Sequence, residues 1–568
     1  MGKIRALTSE VIAQIAAGEV VERPAAVVKE LVENAIDAGA REIKIEIRGG
    51  GAKLIRVTDN GEGMSPDDAR LALERHTTSK ISSAEDLFAV RTFGFRGEAL
   101  AAIAAVSKVR IVTCREAGSP GFEIRVEGGS IFQSGETAGA KGTTVEVQDL
   151  FFNVPVRLKF LKSPGTELSH IADTVARLAL ANDSVRFQLF HEGRLLAHYP
   201  LRPQGSARLA EAMGREAGEK MHRFGARNGA VEISGYAGEP GFDRANPRGI
   251  YLFVNRRPVR DRLLHHAVQE AYRPLLPKER NPVVVLFVEL PPEAVDVNVH
   301  PSKGEVKFVD PDLIHRSVVG AIRRMLEESP WLPKAAILRP EARECEGGYS
   351  PAFLPEEIPL KGLESDRPQG DSALDLFRGK AGYGQIRQTY LVLTSEEGIT
   401  LIDQHAAHER ITLEKLQEQF FEKEIRKQLL MVPEILELSL SEAQAVLEHL
   451  PDLDRMGFSL EQGGERTFWV RAVPEIVAGQ EPLLVLKEMI GEISSWGREA
   501  DLNRQFSNWI HLLACRGSVR ASRNLRSEEA FSLFEQLQNC VSPARCPHGR
   551  PTFIKISADD LDKMFQRK

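Results

Sequence analysis

Polar side chains recur at helical spacing near the start of the 568-residue chain. Glu30, Glu33, Asn34 and Asp37 stand at positions i, i+3, i+4 and i+7, so a helix would place them along one face. The residues between them are mostly valine, leucine, alanine and isoleucine, and they predict a buried opposite face. A solvated helix face is the ordinary explanation of such a stripe, but the segments that follow argue against it.

The next polar cluster follows a predicted strand and combines carboxylates with glycines. Asp59 opens the sequence DNGEGM, in which Gly61 and Gly63 permit close approach of the backbone to another group. Asp59 offers acceptors for an exocyclic amine such as that of adenine. DNGEG could also be an ordinary turn. Further along, FGFRGE at 93–98 precedes a predicted helix, and glycine-rich loops of this form present backbone N–H groups to phosphates.

A third set of candidate residues lies near the C-terminus. His405 and Glu409 are four residues apart and would share a helical face, while Cys546 and His548 would point the same way on an extended segment. Cys515 adds another thiol. Cysteine, histidine and carboxylate together suit Zn²⁺, or Mn²⁺ where carboxylates dominate. Each piece is weak by itself, because a His–Glu pair is more often a surface contact and a buried cysteine is more often core.

The elements that must position these residues mix strands and helices. Alternating hydrophobicity predicts strands at 42–48, 53–60 and 108–114, and again in TYLVLT and GITLID of the C-terminal part. YLFVNRRPV and PVVVLFVEL also have strand character. Helices are predicted at 23–39, 98–105, 263–276 and 405–421, and near 441–450 and 482–496. The order of elements predicts an α+β fold with helices packed on a sheet.

Residues 330–380 are rich in proline and glycine and predict a linker. We therefore expect domains at 1–205, 206–329 and 381–568, with an inserted subdomain at about 436–500. The composition is ordinary for a globular protein, with 42% hydrophobic and 27% charged residues. No membrane span or signal peptide is apparent, and 5 cysteines do not predict a disulfide framework, which together indicate an intracellular protein.

Here a family resemblance becomes specific. NAIDAGA, DNGEGM, TSK with FGFRGEAL, and KGTTVEV match in order the motifs of the gyrase, Hsp90, histidine kinase and MutL superfamily of ATPases. IAAGEVVERPAAVVKELVENAIDAGA and VDVNVHPSKGEVKF resemble the MutL family of DNA mismatch repair proteins in particular. The resemblance covers almost the whole chain outside the linker. It implies a Bergerat-type ATPase sandwich, a second α/β domain of the ribosomal-S5-like type, and a C-terminal α/β dimerisation and metal-binding domain.

The resemblance also implies roles at an ATP site. Glu30 would be the general base that activates water, Asn34 would hold the Mg²⁺ bound with ATP, and Asp59 would bind adenine beside Thr143. Lys303 would reach the γ-phosphate from the second domain. The remaining residues expected around the nucleotide are Asp37, Gly61, Gly63, Met64, Thr78, Ser79, Lys80, Gly94, Phe95, Arg96 and Gly97.

The C-terminal part resembles the endonuclease class of this family, whose signature is DQHA-x₂-E-x₄-E, ACR, CPHGRP and a terminal FxR. The resemblance implies a metal-dependent DNA-nicking site that uses Zn²⁺, Mn²⁺ or both, with Asp403 and Glu409 in catalysis and Glu414 and Arg567 in support. The implied metal ligands are Asp403, His405, Glu409, Cys515, Cys546 and His548. The main alternative is an ATP-gated scaffold that recruits a separate nuclease.

Two further surfaces are predicted. Basic clusters formed by Arg256, Arg257, Arg260 and Arg262 and by Arg157, Lys159 and Lys162 could neutralise DNA phosphates, or could be solvated loops. The segment with Gln428, Leu430, Met431 and Pro433 resembles a sliding-clamp-binding motif, although Leu429, Leu430 and Met431 could simply be core. The resemblance implies as partners DNA, a second copy of the chain, the mismatch-recognition protein MutS and the sliding clamp, and a cytoplasmic location at the nucleoid.

Overall fold

The structure is a computed structural model. The described residues are 18, 21–80, 92–94, 97–201, 206–244, 246–276, 280–296, 306–328, 382–422, 425–493, 502–517, 524–565 and 567. They divide into two compact units, and the predicted linker at 330–380 lies outside the described residues. The first unit draws on Met1–Trp331, Lys427–Val473 and Glu481–Arg504, and the second on Leu332–Arg426, Pro474–Gln480 and Gln505–Lys568.

Strands and helices alternate along the chain, as the sequence predicts for a mixed fold. The strands are β1 Glu42–Arg48, β2 Leu54–Asp59, β3 Lys108–Cys114, β4 Gly121–Glu127, β5 Ser130–Thr137, β6 Gly142–Gln148, β7 Arg186–His191, β8 Arg194–Tyr199, β9 Met221–Asn228, β10 Val231–Gly238, β11 Asp243–Arg244, β12 Ile250–Val254, β13 Arg257–Val259, β14 Asn281–Pro282, β15 Val284–Glu289, β16 Val295–Asp296, β17 Lys307–Phe308, β18 Gly382–Ile386, β19 Tyr390–Ser395, β20 Gly398–Asp403, β21 Lys427–Glu437, β22 Ser459–Gln462, β23 Thr467–Pro474 and β24 Phe553–Ser557. The helices are α1 Pro24–Asp37, α2 Pro66–Leu71, α3 Ala99–Ala105, α4 Pro155–Phe160, α5 Pro164–Ala181, α6 Ser206–Met213, α7 Arg215–Lys220, α8 Arg262–Tyr272, α9 Pro311–Glu328, α10 Gln404–Glu422, α11 Leu440–Glu448, α12 Leu450–Arg455, α13 Pro482–Ile493, α14 Leu502–Gly517, α15 Ser527–Gln538 and α16 Ala558–Met564.

The largest sheet has eight strands in the order β5-β4-β3-β6-β2-β1-β7-β8. Its neighbours pair antiparallel except β1 and β7, which are parallel. In β1 the buried residues Ile43, Ile45 and Ile47 alternate with more exposed charged residues, because successive strand side chains point to opposite faces. Helices α1 and α5 pack against each other, and their buried residues join those of the sheet in one hydrophobic core. This sheet and α1 position the candidate nucleotide residues.

A second sheet, of order β13-β12-β15-β10-β9, follows in the first unit. Here the prediction of a single strand over YLFVNRRPV was wrong, since the segment is the hairpin β12–β13. Asn255 and Arg256 form its turn with φ angles of 47° and 64°. Such left-handed angles match the twist of a two-residue hairpin, and asparagine tolerates them better than most residues do. Helices α8 and α9 pack together in the same region.

The segment predicted as an insert at about 436–500 is grouped with the first unit. Its sheet has the order β21-β23-β22. The Arg244 guanidinium lies 2.8 Å from the Glu442 carboxylate at the start of α11, and Arg280 pairs with Glu488 of α13. Ser169 of α5 donates to the carbonyl oxygen of Ser441 at 2.8 Å. These contacts between residues far apart in sequence explain why the segment packs with the first unit.

The second unit is built on an antiparallel sheet of order β18-β19-β20-β24. Its hydrophobic core gathers Leu391 and Leu393 of β19, Ile411 of α10 and Leu533 of α15. The predicted helix at 405–421 is confirmed as α10, which begins directly after β20. The strand–helix junction therefore fixes the position of the DQHA segment.

The two units together have a mixed α/β architecture, which confirms the predicted fold class. The predicted domain boundaries stay a prediction. Within the part of the chain that the structure describes, no helix is both long and apolar enough to cross a membrane.

Candidate nucleotide and metal sites

Helix α1 presents one buried face and one polar face. Pro24 occupies its first turn, where a missing N–H costs nothing, and Val28 and Leu31 are buried in the core. The Glu30 side chain lies on the other side and is 15% exposed, with one oxygen 3.5 Å from the Lys29 ammonium. The stripe predicted from the sequence is therefore only partly solvated, and it faces a pocket that contains charged groups.

Asn34 and Asp37 converge on one cation. The Lys80 Nζ donates to Asn34 Oδ1 at 2.9 Å and lies 2.6 Å from Asp37 Oδ2. Asp37 also accepts the backbone N–H groups of Phe93 at 2.9 Å and of Gly94 at 3.0 Å. These oxygens thus form a site where a cation is stabilised, and oxygen ligands of this kind are the ones that Mg²⁺ prefers.

Asp59 lies at the end of β2 in a mostly buried position. Its Oδ1 accepts the backbone N–H of Gly61 at 2.8 Å and of Thr143 at 3.3 Å. Burial raises the pKa of Asp59 to about 6, although both backbone hydrogen bonds lower it. Gly142 at φ +114° must be glycine, because a Cβ there would lie 2.0 Å from the Asp59 carbonyl oxygen. The Asp59 carboxylate is therefore held in one orientation by two backbone N–H groups.

The other expected nucleotide residues are placed around these groups. Met64 donates its N–H to Thr113 Oγ1 at 2.8 Å, and Thr113 Oγ1 lies 3.0 Å from the Thr143 hydroxyl. Thr78 Oγ1 accepts the N–H of Lys80 at 3.2 Å, while Ser79 is exposed. Gly61, Gly63 and Gly97 each pass so close to backbone that an added Cβ would clash. Phe95, Arg96 and Lys303 lie outside the described residues.

Arg257 occupies a place that the sequence did not predict. It was grouped with DNA-facing arginines, but it is 7% exposed and donates to the carbonyl oxygen of Thr92. Burial lowers the pKa of its guanidinium, whereas Glu33, Asp37 and Glu30 raise it. Its position in β13 beside these carboxylates places its charge at the nucleotide pocket. A DNA phosphate could not reach it without displacing buried structure.

The remaining arginines of that cluster do face solvent. Arg256, Arg260 and Arg262 are exposed, as is Lys159 on α4. Arg256 makes long ion pairs, at 3.9 Å to Asp183 and 3.6 Å to Glu289. Exposed side chains held this loosely keep most of their charge available to an anionic partner.

In the second unit, three side chains with donor atoms meet beside α10. Glu409 Oε2 lies 3.3 Å from His548 Nδ1, and His548 Nε2 lies 3.5 Å from Cys515 Sγ. One donor atom from each residue falls within 4.8 Å of the other two. The Glu409 carboxylate is 5% exposed and also lies 3.2 Å from His405 Nε2. The structure therefore brings Glu409 together with Cys515 and His548, which lie more than 100 positions further along the chain.

The loop that carries His548 is held by the same helix. Arg410 Nε donates to the carbonyl oxygen of Arg545 at 2.6 Å. Glu414 accepts the N–H groups of Val541 at 2.6 Å and Ser542 at 3.1 Å. Arg410 and Glu414 on α10 thus hold the segment that precedes His548.

Asp403 and Cys546 are not among the three described residues whose donor atoms lie within 4.8 Å of one another. Asp403 Oδ1 accepts the N–H groups of His405 and Ala406, both at 3.0 Å, and so caps the start of α10. Cys546 is buried. Burial of Cys515 raises the pKa of its thiol to about 12, and the nearby Glu409 and Cys546 raise it further. Arg567, the other expected supporting residue, has an exposed side chain.

This donor set fits a divalent transition-metal ion. Cysteine, histidine and carboxylate are the ligands that Zn²⁺ takes, and atoms bound about 2.0–2.3 Å from one ion lie roughly 3–4 Å apart. The distances in the cluster fall in that range. The buried His405 Nδ1 has no hydrogen-bond partner in the described part of the chain, which is costly unless another group binds there.

The predicted clamp-binding segment lies on β21. Leu429 is 78% exposed and Met431 is fully exposed, at 102% of its reference area. Gln428 is also exposed, while Leu430 and Pro433 are half-buried. The alternative that these residues are core is therefore wrong for Leu429 and Met431.

Comparisons with known proteins assign three ranges of the chain to families. The family model described as "Histidine kinase-, DNA gyrase B-, and HSP90-like ATPase" matches residues 22–125. A model described as "DNA mismatch repair protein, C-terminal domain" matches 209–327, and "MutL C terminal dimerisation domain" matches 383–525.

The chain is also similar to curated proteins over its full length. The DNA mismatch repair protein MutL of Geobacter sulfurreducens is 40% identical over 604 residues, covering 100% of this chain and 99% of the relative. MutL of Azorhizobium caulinodans is 39% identical over 625 residues, covering 100% of both chains. Among solved structures, the Aquifex aeolicus MutL ATPase domain complexed with ADP is 29% identical, with a TM-score of 0.38, covering 53% of this chain and 98% of that chain.

Proposed function

The chain belongs to the MutL family of DNA mismatch repair proteins, with an ATPase domain and a C-terminal dimerisation domain, and we propose that it couples ATP hydrolysis to metal-dependent nicking of DNA. The observation that carries the nicking part is the convergence of Glu409, Cys515 and His548 in the second unit. The ATP part rests on the polar face of α1 and on Asp59.

At the ATP site, Glu30 is proposed to act as the general base. Its carboxylate is largely buried on the face that also carries Asn34, so it can orient a water molecule for attack on the γ-phosphate. Phosphoryl transfer depends mainly on positioning and on charge neutralisation. Lys80 and Arg257 supply positive charge beside the acids, and we expect Lys303 to add more.

Asn34 and Asp59 are proposed to hold the two ends of the nucleotide. Asn34 Oδ1 already accepts a cationic donor and would bind the Mg²⁺ that accompanies ATP, which neutralises phosphate charge. The Asp59 carboxylate would accept the exocyclic amine of adenine. The glycines around both groups allow the nucleotide to approach the backbone closely.

At the nicking site, Glu409, Cys515 and His548 are proposed as metal ligands, with His405 and Cys546 beside them. A bound Zn²⁺ or Mn²⁺ would supply Lewis acidity toward the phosphodiester. Asp403 caps α10 and thereby sets the direction from which Glu409 enters the cluster. We expect its free carboxylate oxygen to contribute once DNA is bound.

The test is nicking of supercoiled plasmid by the full chain with Mn²⁺. Glu409→Gln removes one charge without changing shape, and Glu418→Gln on the exposed side of the same helix is the matched control. We expect open circles from the wild type and the control, with at least a hundredfold loss in Glu409→Gln. Equal nicking by both variants would place the nuclease elsewhere.

The second candidate function is an ATP-gated scaffold that recruits a separate nuclease. The same assay separates the two, because a scaffold hydrolyses ATP and does not nick plasmid at any Mn²⁺ concentration. Absence of nicking with ATP and a sliding clamp added would therefore favour the scaffold. The assembled cluster favours the nuclease, since a scaffold has no need for an imidazole, a thiol and a carboxylate at these distances.

DNA binding is proposed for the exposed basic residues of the first unit. Arg256, Arg260, Arg262 and Lys159 are open to solvent, so each can neutralise a phosphate. Replacing Arg260 with alanine is expected to lower the slope of log affinity against log salt by about 1. An unchanged slope would remove Arg260 from the contact surface.

Other partners follow from the family and from exposed apolar residues. We propose a homodimer through the C-terminal unit, contact with MutS, and action in the cytoplasm at the nucleoid. Leu429 and Met431 expose apolar surface on a strand, which suits insertion into a pocket of the sliding clamp. Met431→Asp should abolish clamp binding in a pull-down with purified clamp, whereas Glu434→Asp, also exposed on β21, should retain it.

A further inference from the structure

Helices α8 and α9 carry a group of potential metal ligands that belongs to neither site described above. The helices pack through apolar residues such as Leu264 and Val268 on α8 and Val318 on α9, which are buried. His266 and Glu270 are one helical turn apart on α8, and His315 stands opposite them on α9. None of these side chains has a part in the proposed ATP or nicking chemistry.

The donor atoms of this trio lie at distances typical of a shared ion. His266 Nδ1 is 3.1 Å from His315 Nε2, and His315 Nε2 is 3.4 Å from Glu270 Oε2. One ligand atom from each residue lies within 4.8 Å of the other two. Atoms bound at about 2.0–2.2 Å to one tetrahedral or octahedral ion are separated by roughly 3.0–3.6 Å.

The Oε1 atom of Glu270 faces Arg323, and this contact orients the carboxylate. Arg323 Nη2 lies 3.5 Å from Glu270 Oε1 and donates to the Glu270 carbonyl oxygen at 3.2 Å. Oε2 is thereby turned toward the imidazoles. Metal-binding carboxylates are commonly held in this way by a hydrogen bond to the oxygen that does not bind the ion.

We propose that His266, Glu270 and His315 bind one divalent transition-metal ion of the zinc class, completed by water. Two imidazoles and a carboxylate suit Zn²⁺, Co²⁺ and Ni²⁺ better than Mg²⁺ or Ca²⁺, which prefer oxygen. The ion would join α8 to α9 across their packed faces. A hydrogen bond from the Nε2–H of His315 to Glu270, with His266 Nδ1 beside it, would give similar spacings without an ion, so metal binding itself distinguishes the two arrangements.

Cobalt binding to the full chain tests the proposal. Co²⁺ bound to histidine and carboxylate gives no thiolate-to-cobalt absorption band, so this site is distinguishable from the cluster that contains Cys515. We expect His315→Ala to lose one equivalent of Co²⁺ in equilibrium dialysis while the thiolate band keeps its intensity. His198→Ala, which removes an exposed histidine of β8, should bind as the wild type does.

Glu270→Gln gives a second, milder variant that keeps the imidazole pair. It should weaken binding of that equivalent at least tenfold, and circular dichroism checks that it stays folded. The proposal is overturned if His315→Ala and the wild type bind the same number of Co²⁺ ions. It also fails if Glu270→Gln binds that ion as tightly as the wild type. Neither result depends on whether the second unit nicks DNA.

Discussion

The nucleotide pocket and the cluster beside α10 balance buried charge in opposite ways. In the pocket, Asp37 meets Lys80 and two backbone N–H groups, and Arg257 lies near the same acids. In the cluster, Glu409 meets two imidazoles, and Cys515 carries a thiol whose pKa burial raises to about 12. The first arrangement is neutralised by permanent cations of the protein. In the second arrangement, the carboxylate, imidazole and thiol would be stabilised by a bound metal ion.

The difference suggests how each site responds to its ligand. In the pocket, Lys80 and Arg257 already neutralise the acidic residues, so the charges are in place before the nucleotide binds. When ATP binds with Mg²⁺, contacts of the acidic residues with these cations are replaced by contacts with Mg²⁺. A cluster of imidazole, thiol and carboxylate binds a metal ion through the deprotonated forms of these groups, so binding releases protons and stabilises the fold around the ion. The following changes should separate the two behaviours.

The largest effect is expected from Glu30→Gln in the nucleotide pocket. Glutamine keeps the shape of the side chain but cannot accept a proton, so ATP hydrolysis should fall by roughly 10²–10⁴-fold while ATP binding persists. Phosphate release and nucleotide binding are measured on the same protein. Glu127→Gln, an exposed position on β4, is the control. Hydrolysis within twofold of the wild type would remove Glu30 from catalysis and weaken the comparison.

The next effect concerns the built-in cation. Lys80→Met leaves Asn34 and the 6%-exposed Asp37 without their ammonium, which should cost roughly 3 kcal/mol in the unfolding of the first unit. Lys108→Met removes the cation of an exposed pair with Asp149 and should leave the free energy of unfolding nearly unchanged, because solvent screens such pairs. Urea unfolding followed by hydrogen exchange at α1 gives both values. Equal costs would contradict the idea that Lys80 neutralises the pocket.

Local patterns were the part of the fold that sequence could predict. The strands at 42–48 and 108–114 are confirmed to the residue, because alternation of apolar and polar side chains depends only on neighbours. The start of α1 at Pro24 follows from the same short-range chemistry. The family assignment is also confirmed, since ordered motifs carry it independently of geometry.

Contacts between distant segments were beyond prediction. Arg257 is an arginine like its exposed neighbour Arg256, but Arg256 lies in the hairpin turn and Arg257 begins β13, where its side chain is buried. The grouping of the insert with the first unit depends on ion pairs such as Arg280 with Glu488, which no spacing reveals. The roles assigned to the site residues stay predictions, although the structure brings Glu409, Cys515 and His548 together.

A smaller effect should follow from adding metal to the second unit. Zn²⁺ at one hundred times its dissociation constant would stabilise the folded unit by about 2.7 kcal/mol. For a unit of this size the unfolding midpoint would rise by roughly 5–10 °C. Hydrogen exchange at α10 reports the second unit specifically. Glu409→Gln should lose the shift and Glu418→Gln should keep it. A shift that survives Glu409→Gln would mean that the ion binds elsewhere.

The smallest effect tests Asp59, the adenine-binding candidate whose pKa is raised by burial. The pKa of Asp59 is raised to about 6, so the carboxylate is ionised above pH 6 and protonated below it. Because Oδ1 accepts the N–H groups of Gly61 and Thr143, the proton would go to Oδ2 and turn an acceptor for adenine into a donor. ATP affinity should therefore fall as the pH drops through 6, approaching about tenfold per pH unit below it.

Calorimetric titration at pH 7.5, 6.5 and 5.5 measures the slope. Asp59→Asn keeps an acceptor that does not titrate, so its affinity should follow only the ionisation of ATP itself. If both proteins show the same slope, adenine does not bind Asp59, and the pocket is neutralised by its cations throughout.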